Sequence, residues 1–181
     1  MNQILIIFES KYGTTKRYAE WIATALSGTL LERRAVHSKD LEAADTIIYG
    51  GGLYAGGVSG IKFLFKNQAL LAKKNLILFT CGLASPDIPE NVANIRKTLT
   101  QTIPADMLTQ MTIFHFHGGI DYTRLNLVHK SMMSMLHKML LKKADADLTV
   151  EDRLMLKTYG KTLDFTKQES IQPLVDYVRS L

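Results

Sequence analysis

The chain has 181 residues, 46% apolar and 22% charged, which suits one domain with a sizeable core. No apolar run approaches the roughly 18 residues of a membrane span. Residues 4–8 are too short, and lack the basic flank, to act as a secretory leader, so the expected location is the cytoplasm, at most touching a membrane surface. A single cysteine, Cys81, excludes an internal disulfide and a cysteine-based metal cluster.

The net charge of +5 is unevenly placed: residues 118–143 sum to +4 and the rest of the chain to +1. The basic character therefore belongs to one segment, and a charge-seeking partner is sought there.

Along the chain, short apolar runs alternate with helical patterns. The runs predict strands at 3–8, 29–36, 46–49, 75–80 and 111–117, and 4–8, 47–49 and 76–79 are solidly apolar, as in parallel strands covered on both faces. The spacing predicts helices over 15–27 (Tyr18, Ile22, Ala25, Leu26), 59–72 (Ile61, Leu64, Phe65, Leu71) and 89–102 (Val92, Ile95, Leu99). A last helix, with Ser170 as its N-cap, carries Leu174, Val175 and Val178. This alternation predicts an α/β fold, a doubly wound parallel sheet of five strands in the order 2-1-3-4-5. The whole chain, 1–181, is expected to be one domain, with an insertion at about 118–165, where some fifty residues separate the fifth strand from the last helix.

In such sheets a ligand lies beyond the carboxyl ends of the strands, so the residues following each strand are the candidates. After the first come Ser10, Lys11, Tyr12, Gly13, Thr14 and Thr15, which open a helix. Free amides at a helix start suit a phosphate, Gly13 lets the backbone curl round it, and three hydroxyls add donors. No Gly-Lys-Ser/Thr ending follows, which excludes a triphosphate loop, and no G-x-G-x-x-G favours a pyrophosphate; a single terminal phosphate fits. The same residues also make an ordinary capped helix start.

After the third strand, five glycines within residues 50–57 allow close approach of a flat ligand and positive φ angles, with Tyr54 placed to stack on it. A Gly-rich turn with Tyr54 packed on a helix reads equally well. Thr80 ends the fourth strand and Cys81, Gly82 and Leu83 follow it, and Gly118 follows the fifth.

The stretch S-x-Y-G-T-T resembles the phosphate-loop pattern T/S-x-T-G-x-T of the flavodoxins, with Ser10, Gly13, Thr14 and Thr15 on the pattern and Tyr12 departing from its second Thr. The resemblance covers the chain in element order. It implies FMN as cofactor, its phosphate in the first loop and its isoalloxazine ring between the second and third. The ring would be lined by Gly52, Leu53, Tyr54, Ala55, Gly56, Thr80, Cys81, Gly82 and Leu83, with Gly118 beside them. The continuation Gly118-Gly119-Ile120-Asp121-Tyr122 and the basic, Met-rich segment beyond it resemble the flavodoxin-like protoporphyrinogen oxidases, which act with a menaquinone. That implies an oxidoreductase with a small-molecule or porphyrin-like substrate and a quinone acceptor. The alternative is a carrier passing electrons to a redox partner protein, with no substrate of its own. Carriers of that type are usually acidic, and this chain is basic.

Residues 124–143 read as a basic amphipathic helix. Leu125, Val128, Met132, Met135, Leu136, Met139 and Leu140 fall on one face, and Asn126, Lys130, Ser134, His137, Lys138 and Lys142 on the other. The apolar face either packs on its own protein, or lies on an anionic membrane surface where a quinone is met, or adapts to a substrate or protein partner. A Thr149-x-x-Asp152 capping box predicts a further helix.

Other residues carry less. His115 and His117 alternate on one strand, without a carboxylate or cysteine at ligand spacing, so no metal is expected. No G-x-S-x-G supports hydrolysis. The basic residues are not interleaved with stacking aromatics, which argues against nucleic acid despite a pI near 9.3.

Overall fold

A computed structural model describes residues 2–54 and 57–181, apart from the Glu151 side chain. These residues form two compact units, one of residues 1–118 and 166–181, the other of residues 119–165.

The larger unit is built on parallel strands β1 (Ile4–Glu9), β2 (Thr29–Glu32), β3 (Thr46–Tyr54), β5 (Asn75–Gly82) and β6 (Met111–His117), in the order β2-β1-β3-β5-β6. A two-residue strand β4 (Gly57–Val58) pairs antiparallel with β3. Counting the five parallel strands alone, this is the 2-1-3-4-5 order.

The alternation of side chains along each strand feeds two cores. One face sets Leu5, Ile7, Ile47, Tyr49, Leu76 and Leu78 against Leu41 of α2 (Ser38–Ala43), Leu64 of α3 (Lys62–Lys66), Leu71 of α4 (Gln68–Leu71), Leu99 of α5 (Pro89–Thr102) and Met107 of α6 (Ala105–Gln110). The other sets Ile6, Phe8, Ile48, Ile77, Phe79, Cys81 and Phe116 against Tyr18 and Ile22 of α1 (Thr14–Leu26). Leu174, Val175 and Val178 of α9 (Gln172–Arg179) pack on the same face. Each fully buried Leu, Ile or Phe contributes about 1.5–3 kcal/mol.

Several elements differ from the sequence expectation. The second strand stops at Glu32, and Arg33–Ala35 form a 3₁₀ turn. The expected helix over 59–72 is two short helices. They break at Asn67, whose side-chain amide donates to the Phe63 carbonyl at 2.8 Å. Ser170 is not an N-cap: it lies in a 3₁₀ turn, its hydroxyl donating to the Lys167 carbonyl at 2.7 Å, and α9 begins two residues later with Pro173 in its first turn.

The largest correction concerns glycine. Residues 50–54 are not a loop but the continuation of β3, and Gly50, Gly51, Gly52 and Gly57 all have φ outside the left-handed region. Their smallness serves packing. A Cβ on Gly50 would run into the Phe79 ring of the neighbouring strand, and one on Gly51 into Val58.

Residues 119–165 pair β7 (Gly119–Ile120) with β8 (Leu163–Asp164) antiparallel. Between them lie α7 (Leu127–Leu140) and α8 (Val150–Thr158). Asn126 caps α7 by accepting from the His129 amide at 2.8 Å. Thr149 and Asp152 cap α8 reciprocally, at 3.1 and 3.2 Å. Tyr159 joins the unit's helices: the His137 ring stacks on it at 3.9 Å and Tyr122 meets it edge-on at 5.1 Å. The buried or half-buried residues of α7 are His129, Met132, Met133, Ser134, His137 and Leu140, while Val128, Met135 and Met139 are 66%, 62% and 56% exposed. Among the described residues, no helix is long and apolar enough to cross a membrane.

Candidate functional site

The carboxyl ends of β1, β3, β5 and β6 converge in the larger unit because their registers align: Glu9 lies opposite Gly51, Gly52 opposite Cys81, and Gly82 opposite His117. The loop between β1 and α1 sits at this edge. Gly13 precedes α1 at φ 100°, and a Cβ built there meets nothing within 4 Å, so the loop is open above it. Glycine is needed here because L side chains avoid this φ.

The first helical hydrogen bond of α1 runs from the Arg17 amide to the Gly13 carbonyl, which leaves the amides of Thr14, Thr15 and Lys16 without a partner within the helix. No acidic residue stands in the first turn of α1, so the positive end of the helix is uncompensated there. Ser10 Oγ accepts from the Gly13 amide at 3.1 Å, and Thr14 Oγ1 accepts from Cys81 Sγ at 3.5 Å. Each hydroxyl thereby keeps its own proton for donation to an anion. Thr15 is 1% exposed and lies beneath the loop.

Tyr54, at the end of β3, meets Tyr12 edge-on with centroids 6.0 Å apart, and Lys11 Nζ stands 4.7 Å from the centre of its ring. Burial, with Cys81 and Tyr12 adding to it, pushes the Tyr54 phenol up to about 12, so it stays protonated at any physiological pH. Gly52 lies under that ring; a Cβ there would come within 2.6 Å of it. Gly82 similarly makes room for Leu53, and Gly118 for Cys81, the Gly118 amide donating to the Gly82 carbonyl at 2.6 Å.

The structure thus brings together Ser10, Lys11, Tyr12, Gly13, Thr14, Gly52, Leu53, Tyr54, Cys81, Gly82 and Gly118. Ala55 and Gly56 lie outside the described residues. The Thr80 side chain is not part of the group. It is 1% exposed and its hydroxyl meets His115 Nδ1 at 2.7 Å. Leu83 is 39% exposed, and its carbonyl is 2.9 Å from His117 Nε2. The two histidines therefore have separate partners. The His115 ring, whose Nε2 is buried without a hydrogen bond, is lowered to about 4 by burial and then by Arg96.

Sequence reasoning missed two features at this edge. Glu9, the last residue of β1, pairs with Arg33, which follows β2. Tyr18, read as a core residue, is buried yet ties the edge together: its hydroxyl donates to the His117 carbonyl at 2.8 Å and accepts from the Lys167 amide at 3.2 Å. A lone tyrosine on an apolar helix face gives no signal of such partners.

Comparison with known proteins places the chain. A family model described as a flavodoxin domain matches residues 5–147. No curated protein matches. Similar solved structures include a WrbA-like flavodoxin from Agrobacterium tumefaciens (26% identity, over 56% of this chain and 73% of that one, TM-score 0.44). A flavodoxin from the Archaea is similar over 86% of this chain and 94% of that one (17% identity, TM-score 0.42). The two-electron reduced flavodoxin of Megasphaera elsdenii is similar over 53% and 78% (17% identity, TM-score 0.40). By its strand order and the extent of the family match, the chain belongs to the flavodoxin-domain family.

Proposed function

We propose that this chain is an FMN-dependent oxidoreductase that takes electrons from a small, porphyrinogen-like organic substrate and passes them to a lipid-soluble quinone. The observation that carries the reading is the meeting of the loop after β1 with the ends of β3 and β5. There Thr14 touches Cys81, and Lys11 and Tyr12 touch Tyr54, around an open glycine at a helix start.

The residues present suit FMN. The amides of Thr14, Thr15 and Lys16 and the hydroxyls of Ser10 and Thr14 form a donor set for a phosphate, and Lys11 adds a positive charge nearby. The surfaces available to a flat ring come from Tyr12, Leu53, Tyr54, Cys81 and Gly82. Bound FMN would supply the electron chemistry. The chain's own residues anchor the phosphate, hold the ring against Tyr54 and limit access of water. Tyr54, as a neutral phenol, puts no negative charge beside the ring.

The exposed stripe of Val128, Met135 and Met139 on α7, with Lys138 and Lys142 beside it, supports the quinone part of the reading, because an apolar stripe edged by lysines suits an anionic bilayer surface. The test is anaerobic oxidation of protoporphyrinogen by the FMN-loaded protein with a water-soluble menaquinone analogue. The expected result is turnover that requires both quinone and protein. If the reduced protein instead gives its electrons only to a second protein and leaves porphyrinogen untouched, it is a carrier and this reading fails.

A further inference from the structure

A cavity of about 580 Å³ lies in the larger unit, lined by Arg33, Val58, Ile61, Lys62, Phe63 and Lys66 among others. Its residues come from β4, α3, the turn after β2 and the end of α5, and apart from Gly57, the last of the glycine run, none of them is a flavin-site candidate. Its size is that of a small-molecule site.

The charge of the lining is one-sided: three cations and no acidic residue. Arg33 is held from behind by Glu9, which fixes its position and keeps it ionised. Gly60, at φ 71°, packs so closely on Arg33 and the Tyr49 hydroxyl that any side chain there would collide with both. Lys62 and Lys66 are exposed and have no ion-pair partner among the described residues. At a spacing of four they stand as neighbours on α3 and repel each other. Lys62 also sits in the first turn of that helix, where a cation opposes the helix dipole. Lys66, in the last turn, suits the dipole, so local helix stability fails to account for Lys62 alone. The apolar walls, Val58, Ile61, Phe63 and Phe65, supply the other half of an amphiphile's requirement, with the Phe63 ring stacked on Tyr49 at 6.4 Å.

We propose that this cavity binds an organic anion, a molecule with an apolar body and a carboxylate or sulfonate group, the body on Ile61 and the phenylalanines and the charge between Lys62, Lys66 and Arg33. The site is separate from the residues that would hold FMN, and its occupancy does not depend on the cofactor.

Anilinonaphthalene sulfonate is the probe, titrated by calorimetry into the FMN-loaded protein, with Lys62→Gln/Lys66→Gln as the test variant and Lys138→Gln/Lys142→Gln as the control for the apolar stripe on α7. The expected result is saturable binding at one site that weakens about tenfold in the Lys62/Lys66 variant, with FMN affinity and melting temperature unchanged, and does not weaken in the control. Binding that fails to saturate, or that falls only in the Lys138/Lys142 variant, overturns the proposal. Loss of FMN binding with probe binding intact would remove the cofactor reading and leave this one standing.

Discussion

Strand β3 and helix α7 both carry strongly apolar sequences, and the fold treats them in opposite ways. Seven of the nine residues of β3 are buried, whereas in α7 only Leu140 of fourteen is. In β3 the close packing extends to glycines whose missing Cβ is the space that Phe79 and Val58 fill. In α7 the covered residues are His129, Met132, Met133, Ser134, His137 and Leu140, and the stripe of Val128, Met135 and Met139 faces outward. Apolar sequence alone thus says that a surface is to be covered; the partner is decided elsewhere in the chain. For β3 the partner is internal. For α7 the stripe stays exposed, and a methionine-rich stripe edged by lysines would suit a soft, anionic apolar surface.

The contrast can be broken at its buried end first. Gly50→Val should force the Phe79 ring out of place and destabilise the fold by about 3 kcal/mol, the upper end of ordinary overpacking. A thermal melt unchanged from that of the natural chain would show that the glycines of β3 are not packing residues.

At the site itself, Ser10→Ala combined with Thr14→Ala removes two hydroxyl donors while leaving the helix amides. FMN affinity should fall by roughly a hundredfold or more, given about 1.5–3 kcal/mol for each hydrogen bond to a charged group. Thr15→Val, which keeps the shape of a buried side chain, should change affinity far less. Equal losses from both changes would place the phosphate deeper than the open loop.

A third test concerns His115, half-buried beside Thr80 and within reach of the charge of Arg96. Its folded pKa lies at about 4, below the ordinary 6.5, so the unfolded chain takes up a proton first as pH falls. Stability present above pH 6.5 is therefore lost between pH 6.5 and about 4. After discounting for its partial exposure the loss is roughly 1–2 kcal/mol. Denaturant titrations at pH 7 and pH 4.5 should differ less for His115→Phe than for the natural chain; an identical difference would mean that other groups control the acid limb.

The smallest expected effect on stability is at the exposed end of the comparison. Met139→Glu should change the melting free energy by less than about 0.5 kcal/mol, as surface substitutions do. It should nevertheless weaken binding to vesicles containing phosphatidylglycerol. A strongly destabilised variant would mean that the stripe is covered by the protein itself.

The sheet was legible because its strands are continuous apolar runs separated by helical periods, and α5 begins and ends where its proline and its pattern place it. The glycines of residues 50–52 were misread because a glycine beside a strand has the same signature as a turn, and the Phe79 ring that requires it is almost thirty residues away. The break at Asn67 carries no proline or glycine to announce it. Within the site, the loop of residues 10–15 stood out by its hydroxyls, whereas the meeting of Tyr12 with Tyr54 could not be seen, since it depends on two strands ending side by side. The amphipathic pattern of 124–143 was recognisable as a helix, but periodicity holds no information about which side the neighbours take.

The central claim, that the loop between β1 and α1 holds the phosphate of FMN, is tested most directly by titrating the apoprotein with FMN and, in parallel, with riboflavin, following the quenching of flavin fluorescence. The account predicts tight binding of FMN and binding of riboflavin weaker by at least a hundredfold, the difference being the phosphate contacts. Equal affinity for the two, or no binding of either, would contradict it and leave residues 10–15 as a capped helix start.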